Sequence, residues 1–216
     1  TDEVKSGWSN FVAGRIAVAS ITFTLNSAGN QYSVTNCPKS LYGPVEIPNF
    51  FNGRPVTSIG YQAFESCNRI TSVIIGDRVT SIGDQAFAFC TRMTSITIGN
   101  DVTSIGALAF QRCDSLTSVV IPSSVTTITF LAFASCRDLA SVTIGEGVTS
   151  IGGQAFKNCT SLSTINSLAT SAPTIGTQVF DNTPALRINV PVGASESYQA
   201  AGDQTTYGGL PILPTL

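Results

Sequence analysis

The 216-residue chain carries 11 basic and 13 acidic residues, a formal net charge of −2, and 43% of its residues are hydrophobic. This composition is too apolar for a disordered chain, and it offers no basic stripe for nucleic acid or an anionic membrane. Histidine is absent, which removes the commonest general base and metal ligand of proteins. No apolar run reaches the ~18 residues that a membrane-spanning helix needs.

Residues 1–55 are predicted to form an entry segment that contains a β-hairpin. Ile21 to Leu25 and Tyr32 to Thr35 alternate apolar and polar side chains on either side of Asn26 to Asn30, a run rich in turn-forming residues. Two alternating runs around such a turn predict a hairpin. We expect this hairpin to cap the segment that follows.

A phrase of 23 residues then returns five times and begins at Val56, Val79, Val102, Val125 and Val148. Self-similarity at such a period is typical of a solenoid in which every copy forms one coil. In a degenerate sixth copy, Ile175, Gly176 and Phe180 lie 24 residues after their counterparts. The sequence therefore predicts a solenoid over residues 56–191 and a C-terminal tail or cap over residues 192–216.

Each copy is predicted to combine a helical turn with a strand. In the copy from Val79, the spacing of Ala86, Phe87 and Cys90 suits one helical turn. Ile96 and Ile98 lie two apart, as residues on one face of a strand do. One coil cannot bury its apolar side chains alone, so neighbouring coils must stack, pair their strands as a parallel sheet and align equivalent residues in columns. One such column contains the phenyl rings of Phe64, Phe87, Phe110, Phe133 and Phe156.

Five cysteines share one column position, namely Cys67, Cys90, Cys113, Cys136 and Cys159. Their side chains should point the same way, which does not suit the geometry of a disulfide, so we interpret them as small buried apolar residues. Without histidine or paired cysteines at zinc-finger spacing, no metal site is expected. Cys37 lies outside the register, and a bond from Cys37 to Cys67 is the one disulfide to look for.

Two surfaces are candidates for binding. Along the strands, the residues between the buried ones should face outward, and these are Ser72, Ile74, Ser95, Thr97, Ser118, Val120, Ser141, Thr143, Thr164 and Asn166. The residues before each Ala-Phe pair should face solvent on the turn. In the middle coils these are apolar, and with a neighbouring phenylalanine they form the candidate patch Phe89, Leu108, Phe130 and Leu131. Exposed apolar patches usually mark contacts, although local packing over the turn is the alternative.

The pattern Cys-x-x-Leu-x-x-Val/Ile-x-Ile, preceded by Val-Thr-Ser-Ile-Gly-x-x-Ala-Phe, resembles the BspA-like leucine-rich repeats. The resemblance covers about Leu41 to Pro191. It implies a right-handed, curved solenoid with a parallel sheet on its concave face and the turns on its convex side. Members of that family are mostly secreted or cell-surface proteins of host-associated bacteria and some protozoa, and several act in adhesion.

These observations predict a protein without enzymatic activity or a cofactor. Serines and threonines recur without a base beside them, and Asp77, Asp101 and Glu146 sit at coil corners where turns favour such residues. The expected role is protein–protein interaction or adhesion, with a host extracellular or cell-surface protein or a second copy as the partner. Two alternatives stay open: ice or crystal binding through a threonine column (Thr57, Thr80, Thr103, Thr126 and Thr149), and a carbohydrate-active β-solenoid enzyme.

Overall fold

The computed structural model describes residues 3–4, 21–184, 186–194, 196–197, 206–207 and 210–214. Much of the predicted entry segment and tail, namely residues 1–2, 5–20, 195, 198–205, 208–209 and 215–216, therefore lies outside the described residues, as does residue 185. The described chain is a parallel β-solenoid of about seven turns.

Its strands, in chain order, are β1 (Glu3–Val4), β2 (Thr22–Leu25), β3 (Tyr32–Asn36), β4 (Gly43–Ile47), β5 (Phe50–Phe51), β6 (Arg54–Ile59), β7 (Ile70–Ile75), β8 (Ser81–Ile82), β9 (Ser95–Thr97), β10 (Ser104–Ile105), β11 (Ser118–Ile121), β12 (Thr127–Ile128), β13 (Ser141–Ile144), β14 (Ser150–Ile151), β15 (Thr164–Ser167), β16 (Thr174–Ile175), β17 (Arg187–Val190), β18 (Thr206–Tyr207) and β19 (Leu210–Pro214). Each regular coil contributes two of these strands, and from the coil that begins at Val79 onward one is longer and the other has two residues.

The longer strands form the sheet that the sequence predicts. Its order is β4-β7-β9 in one group and β11-β13-β15-β17-β19-β18 in the other. Ser72 pairs with Ser95 and Val73 with Ile96, so equivalent residues of successive coils stand side by side. Between the two groups, the Thr117 amide still donates to the Thr94 carbonyl at 3.3 Å. The predicted parallel pairing of these strands is confirmed.

A second parallel sheet consists mainly of the two-residue strands, in the order β3-β6-β8-β10-β12-β14-β16. Its isoleucines are in register, and Ile82 pairs with Ile59 on one side and with Ile105 on the other. These isoleucines are buried. The Thr-Ser-Ile phrase of the repeat thus supplies a second wall of the coil, where the sequence suggested only an extended piece.

The turn between the two-residue strand and the cysteine differs from the predicted helical turn. In the coil from Val79, the amides of Ala86, Ala88 and Cys90 donate to carbonyls three residues earlier at 3.1–3.2 Å. The intervening amides, those of Gln85, Phe87 and Phe89, donate instead to carbonyls of the next coil at 2.7–2.9 Å. Gln85 and Phe89 have φ values of 56° and 62°, which a right-handed helix does not allow. No helix is present within residues 21–184.

Bonds from a turn amide to a carbonyl of the next coil recur along the solenoid. We call this set of bonds between coils the turn ladder. Each one commits a backbone amide of a buried turn to the neighbouring coil, as buried polar backbone requires. The bonds of the phenylalanine amides, for example, join Phe64 to Ala86 and Phe110 to Ala132 at 2.7 and 2.8 Å. The turn is therefore stable only when another coil lies beside it.

The predicted phenylalanine column is confirmed. Successive rings from Phe64 to Phe180 lie 4.8–5.8 Å apart between centroids and within 14° of parallel. The five rings from Phe64 to Phe156 are fully buried. Because equivalent rings belong to successive coils, they stack nearly parallel with an offset. Such stacked pairs stabilise the fold in addition to the free energy of burial.

The predicted N-terminal hairpin is also present. β2 pairs antiparallel with β3, and β3 pairs in parallel with β6, so the hairpin continues the sheet of short strands. Asn26 holds the connection, since its side-chain oxygen accepts the amide of Asn30 at 3.0 Å. Phe23 and Val34 of the hairpin are buried against the first coil. The apolar end of the solenoid is thereby covered.

Candidate interaction surfaces

The turn ladder brings three of the four predicted patch residues together. The amide of Leu108 donates to the carbonyl of Phe130 at 3.1 Å, and Leu131 follows Phe130 in the chain. The Phe130 side chain is 50% exposed, whereas Leu108 and Leu131 are half-buried. A single large apolar ring thus protrudes above two leucines on adjoining coils.

Leu108 and Leu131 interrupt a column that is otherwise glutamine. Gln62 donates its side-chain amide to Gln85 at 2.7 Å, and Gln154 donates in the same way to Gln178 at 2.9 Å. Such amide ladders satisfy polar side chains from coil to coil. Every residue of this column has a φ between 53° and 58°, so the leucines adopt an unfavourable backbone conformation without gaining the side-chain bond of a glutamine.

Phe130 belongs to a neighbouring column of mixed character, Tyr61, Asp84, Ala107, Phe130, Gly153 and Thr177. A methyl group placed on Gly153 would lie 3.6 Å from the Phe130 ring, so the ring extends over this glycine. Tyr61 is 63% exposed in the same column. The place of Tyr61 before Ala-Phe predicts this exposure, but Tyr61 was not included in the candidate patch.

Phe89 is not grouped with the other three patch residues. It lies at the far end of the turn, in the column of Arg112, and the guanidinium of Arg112 is 5.6 Å from the centre of its ring. A cation at this distance is attracted to the face of the ring. Two further arginines stand over exposed aromatic rings, Arg69 over Tyr42 at 5.7 Å and Arg78 over Phe50 at 5.1 Å.

The predicted sheet residues face outward, as the alternation of the strands requires. Within β11, Val119 is buried while Val120 is 61% exposed. The side chains of this face are short, and an amide pair closes the column, with Asn189 donating to Asn166 at 2.7 Å. The surface is therefore flat and mildly polar, with Ile74 and Val120 as its exposed apolar residues among those predicted.

Threonine hydroxyls of the threonine column donate hydrogen bonds to backbone carbonyls of the preceding coil. Thr80 donates its hydroxyl to the carbonyl of Thr57, and Thr103 donates to that of Thr80, both at 3.1 Å. Thr149 donates to Thr126 at 3.2 Å. These bonds along the column explain why threonine recurs at this position.

Of the three predicted corner carboxylates, Asp77 has a structural contact of the kind that turns provide. Asp77 accepts the amide of Asn100 in the next coil at 2.9 Å. Asp84, which sequence reasoning did not single out, accepts the amide of Ala107 at 2.7 Å. Each such bond satisfies a backbone donor where a coil changes direction.

All six cysteines are buried thiols, in agreement with their interpretation as small core residues. They also make polar contacts that the sequence did not predict. The thiols of Cys90, Cys113, Cys136 and Cys159 donate to phenylalanine carbonyls of the preceding coil at 3.1–3.3 Å. Cysteine therefore combines a small buried volume with a weak donor directed at the neighbouring coil.

Burial raises the pKa of the thiols of Cys90, Cys113 and Cys159 above their ordinary value of 9.0. Above about pH 9 these thiols ionise in the unfolded chain but not in the folded one, so unfolding releases protons. The free energy of unfolding should then fall by about 1.4 kcal/mol per pH unit for each thiol as the pH rises from there towards the folded pKa.

Urea denaturation of the reduced protein between pH 8 and 10.5 measures this slope. The variant Cys113→Ala removes one thiol and should have a shallower slope above pH 9, by about 1.4 kcal/mol per pH unit. An unchanged slope in this variant would mean that Cys113 ionises equally in both states. The comparison uses slopes, so the packing lost with the sulfur does not affect it.

No helix among the described residues is long and apolar enough to span a bilayer.

Comparison with known proteins relates the whole repeat to one family. Residues 56–191 match the model described as BspA type leucine rich repeat region, in six copies. No curated protein matches the sequence.

Solved structures show the same architecture. The T. pallidum leucine-rich repeat protein TpLRR has a TM-score of 0.67 at 23% identity, over 82% of this chain and 86% of that one. A leucine-rich repeat protein of Bacteroides ovatus has a TM-score of 0.69 at 29% identity, over 82% of this chain and 49% of that one. One of Bacteroides capillosus has a TM-score of 0.51 at 32% identity, over 60% of this chain and 96% of that one. The chain spans about half the length of the B. ovatus protein.

Proposed function

The chain belongs to the BspA-type leucine-rich repeat family, and from this premise we propose that it is a non-enzymatic protein-interaction or adhesion module of an exported or surface-attached bacterial protein. Leucine-rich repeat proteins commonly bind proteins, and they are typically non-enzymatic. Its partner is a host extracellular or cell-surface protein, or a second copy of the chain.

One observation carries the proposal: Phe130 protrudes from a patch with Leu108 and Leu131 in the middle of a polar turn surface. The repeat itself does not require apolar residues there, because the glutamines at the equivalent positions bond to one another. Large aromatic residues that are exposed in the free protein supply much of the binding energy at protein interfaces. The patch is therefore assigned to contact with a partner.

The outward face of the long-strand sheet is the second candidate surface. Its short side chains allow close approach of a broad partner, and Val120 stands exposed at its middle. This face lacks large aromatic residues among those predicted for it, so it would add complementarity more than binding energy. The two surfaces lie on different sides of the coil, which makes them separable by mutation.

The double variant Phe130→Ser and Leu131→Gln should lower the free energy of unfolding by less than about 1 kcal/mol. Half of the Phe130 side chain is already in water, and a glutamine at 131 can donate to Gln154 as Gln154 does to Gln178. Chemical denaturation of the variant and the parent protein checks this. A loss of several kcal/mol would assign these residues to the core instead.

The binding experiment uses three proteins: the parent chain, the Phe130→Ser and Leu131→Gln variant, and Val120→Ser on the sheet. Each is immobilised and exposed to extracellular host proteins, and each is also examined by sedimentation velocity for self-association. Loss of capture or of self-association in the double variant alone supports the patch, and loss in Val120→Ser alone assigns binding to the sheet. A chain that neither captures a protein nor self-associates contradicts the proposal.

A further inference from the structure

Cys37 and Cys67 form a pair that the repeat does not contain elsewhere. Cys37 follows β3 of the hairpin, and Cys67 is the first cysteine of the regular column. The sulfur of Cys67 lies 3.3 Å from the Cys37 carbonyl oxygen and 3.9 Å from that of Pro38. The sulfur of Cys37 lies 3.6 Å from the same Pro38 oxygen, so one carbonyl oxygen stands beside both sulfurs. The two sulfurs are therefore neighbours.

Cys37 approaches Cys67 from a backbone position that differs from that of the column cysteines. Along the column, each thiol donates to a phenylalanine carbonyl, as Cys90 does to Phe64. Cys67 donates instead to the carbonyl of Cys37, so the backbone of Cys37 takes the place that phenylalanine has in later coils. Two cysteines at equivalent positions have parallel Cβ directions that oppose a disulfide, but a pair at different positions is free of that restriction.

From this geometry we propose that Cys37 and Cys67 form a disulfide that joins the N-terminal cap to the first coil. A low-molecular-weight disulfide such as oxidised glutathione is the oxidant. The thiolate of one cysteine attacks it, forms a mixed disulfide and releases one reduced glutathione. The second cysteine then attacks the mixed disulfide as its thiolate and releases another glutathione. In total the two thiols lose two protons and two electrons, and one glutathione disulfide is reduced to two thiols.

In the folded chain the surroundings of Cys67 stabilise its thiolate. The neighbouring Cys37 side chain lowers the pKa of the Cys67 thiol, and the positive charge of Lys39 acts in the same direction, while burial opposes both. The thiolate is the reactive form in disulfide exchange. Lys39 also donates to the Glu65 carbonyl and so holds the segment after Cys37 on the first coil.

Both cysteines are fully buried in the folded chain, and this burial determines when the oxidant can react with them. The oxidant therefore reaches them before the cap has packed, during folding. The closed loop spans residues 37–67, and fixing its ends restricts the unfolded chain. The inference does not depend on the partner in the proposed function, and its test does not measure binding.

The test is refolding of the full chain in a glutathione redox buffer, followed by alkylation under denaturing conditions and tryptic mapping. Cleavage after Lys39 places Cys37 and Cys67 in different peptides, residues 16–39 and 40–69, since Arg54 precedes proline and resists trypsin. Cys113 and Cys136 remain together in residues 113–137 and serve as the matched control, because they are equivalent positions of adjacent coils. A disulfide between them would appear as a loss of two hydrogens.

The expected result is one linked pair of peptides, 16–39 with 40–69, and four alkylated cysteines. Reductant should separate the pair and lower Tm by roughly 5–10 °C, a shift that Cys37→Ser abolishes. Six alkylated cysteines after refolding would overturn the proposal, and so would a bond between Cys113 and Cys136 or between any other pair. The peptide map of the parent protein decides the question even if Cys37→Ser fails to fold.

Discussion

Replacing Phe110 by alanine should lower the free energy of unfolding by about 3–5 kcal/mol, the usual cost of deleting a fully buried phenyl ring. Phe110 is stacked on both sides, with ring centroids 5.3 Å from Phe87 and 5.0 Å from Phe133. Its removal opens a cavity in the middle of the column, and the turn ladder on both sides prevents the coils from closing it. Urea denaturation followed by circular dichroism measures the loss.

Phe180→Ala is the matched control at the end of the same column. Its ring is half-buried and stacks on one neighbour, Phe156, at 5.8 Å. The expected loss is about half of that for Phe110, since less surface is buried and one ring contact is lost. Equal losses for the two variants would contradict a column in which each ring is stabilised by the coils on both sides.

Val119→Asp should prevent folding of the middle coils, with a loss above about 4 kcal/mol. Val119 is 2% exposed in β11 and pairs with Val142 of the next coil. A carboxylate at this point would lie in the apolar interior without a hydrogen-bond partner. The variant should elute as an expanded species in size-exclusion chromatography and lose its cooperative thermal transition.

Val120→Asp, one residue further along the same strand, should cost less than about 1 kcal/mol, because Asp is a poor strand former but remains in water there. Val120 is 61% exposed and pairs with Thr143 on the outward face. The two variants carry the same chemical change, valine to aspartate, at adjacent positions of one strand. If they were equally destabilised, the assignment of inner and outer faces to this strand would be wrong.

Much of this fold follows from the 23-residue period. Once equivalent residues are stacked, the phenylalanine column, the parallel pairing of the longer strands and the outward direction of Val120 are consequences of register alone. The hairpin over Thr22 to Asn36 could likewise be predicted, because alternation and turn residues are local signals.

The turn could not be predicted in the same way. The spacing of Ala86, Phe87 and Cys90 also suits a helix, and residues 84–90 contain no glycine to signal left-handed backbone. The observed turn has Gln85 and Phe89 at positive φ and is stabilised by amides that donate to the next coil. Contacts between coils thus override the local preference, and a pattern within one repeat does not reveal them.

The candidate surfaces were predictable only in part. Exposure of Phe130 follows from its place before Ala-Phe, and the separation of Phe89 follows from its place at the far end of the turn, whereas the arginine over the Phe89 ring could not be predicted. The thiol bonds to phenylalanine carbonyls depend on atomic distances between coils. Both features are settled by side-chain conformation, which periodicity does not determine.

The turn ladder also has a mechanical consequence. Its bonds run from coil to coil, parallel to the long axis, as in the pair formed by the Phe87 amide and the Ala109 carbonyl at 2.7 Å. A force that pulls the two ends apart therefore acts on successive junctions in series and opens them one after another. Each detached coil of 23 residues would extend the chain by about 75 Å, so the molecule would lengthen stepwise under tension and absorb work at each step.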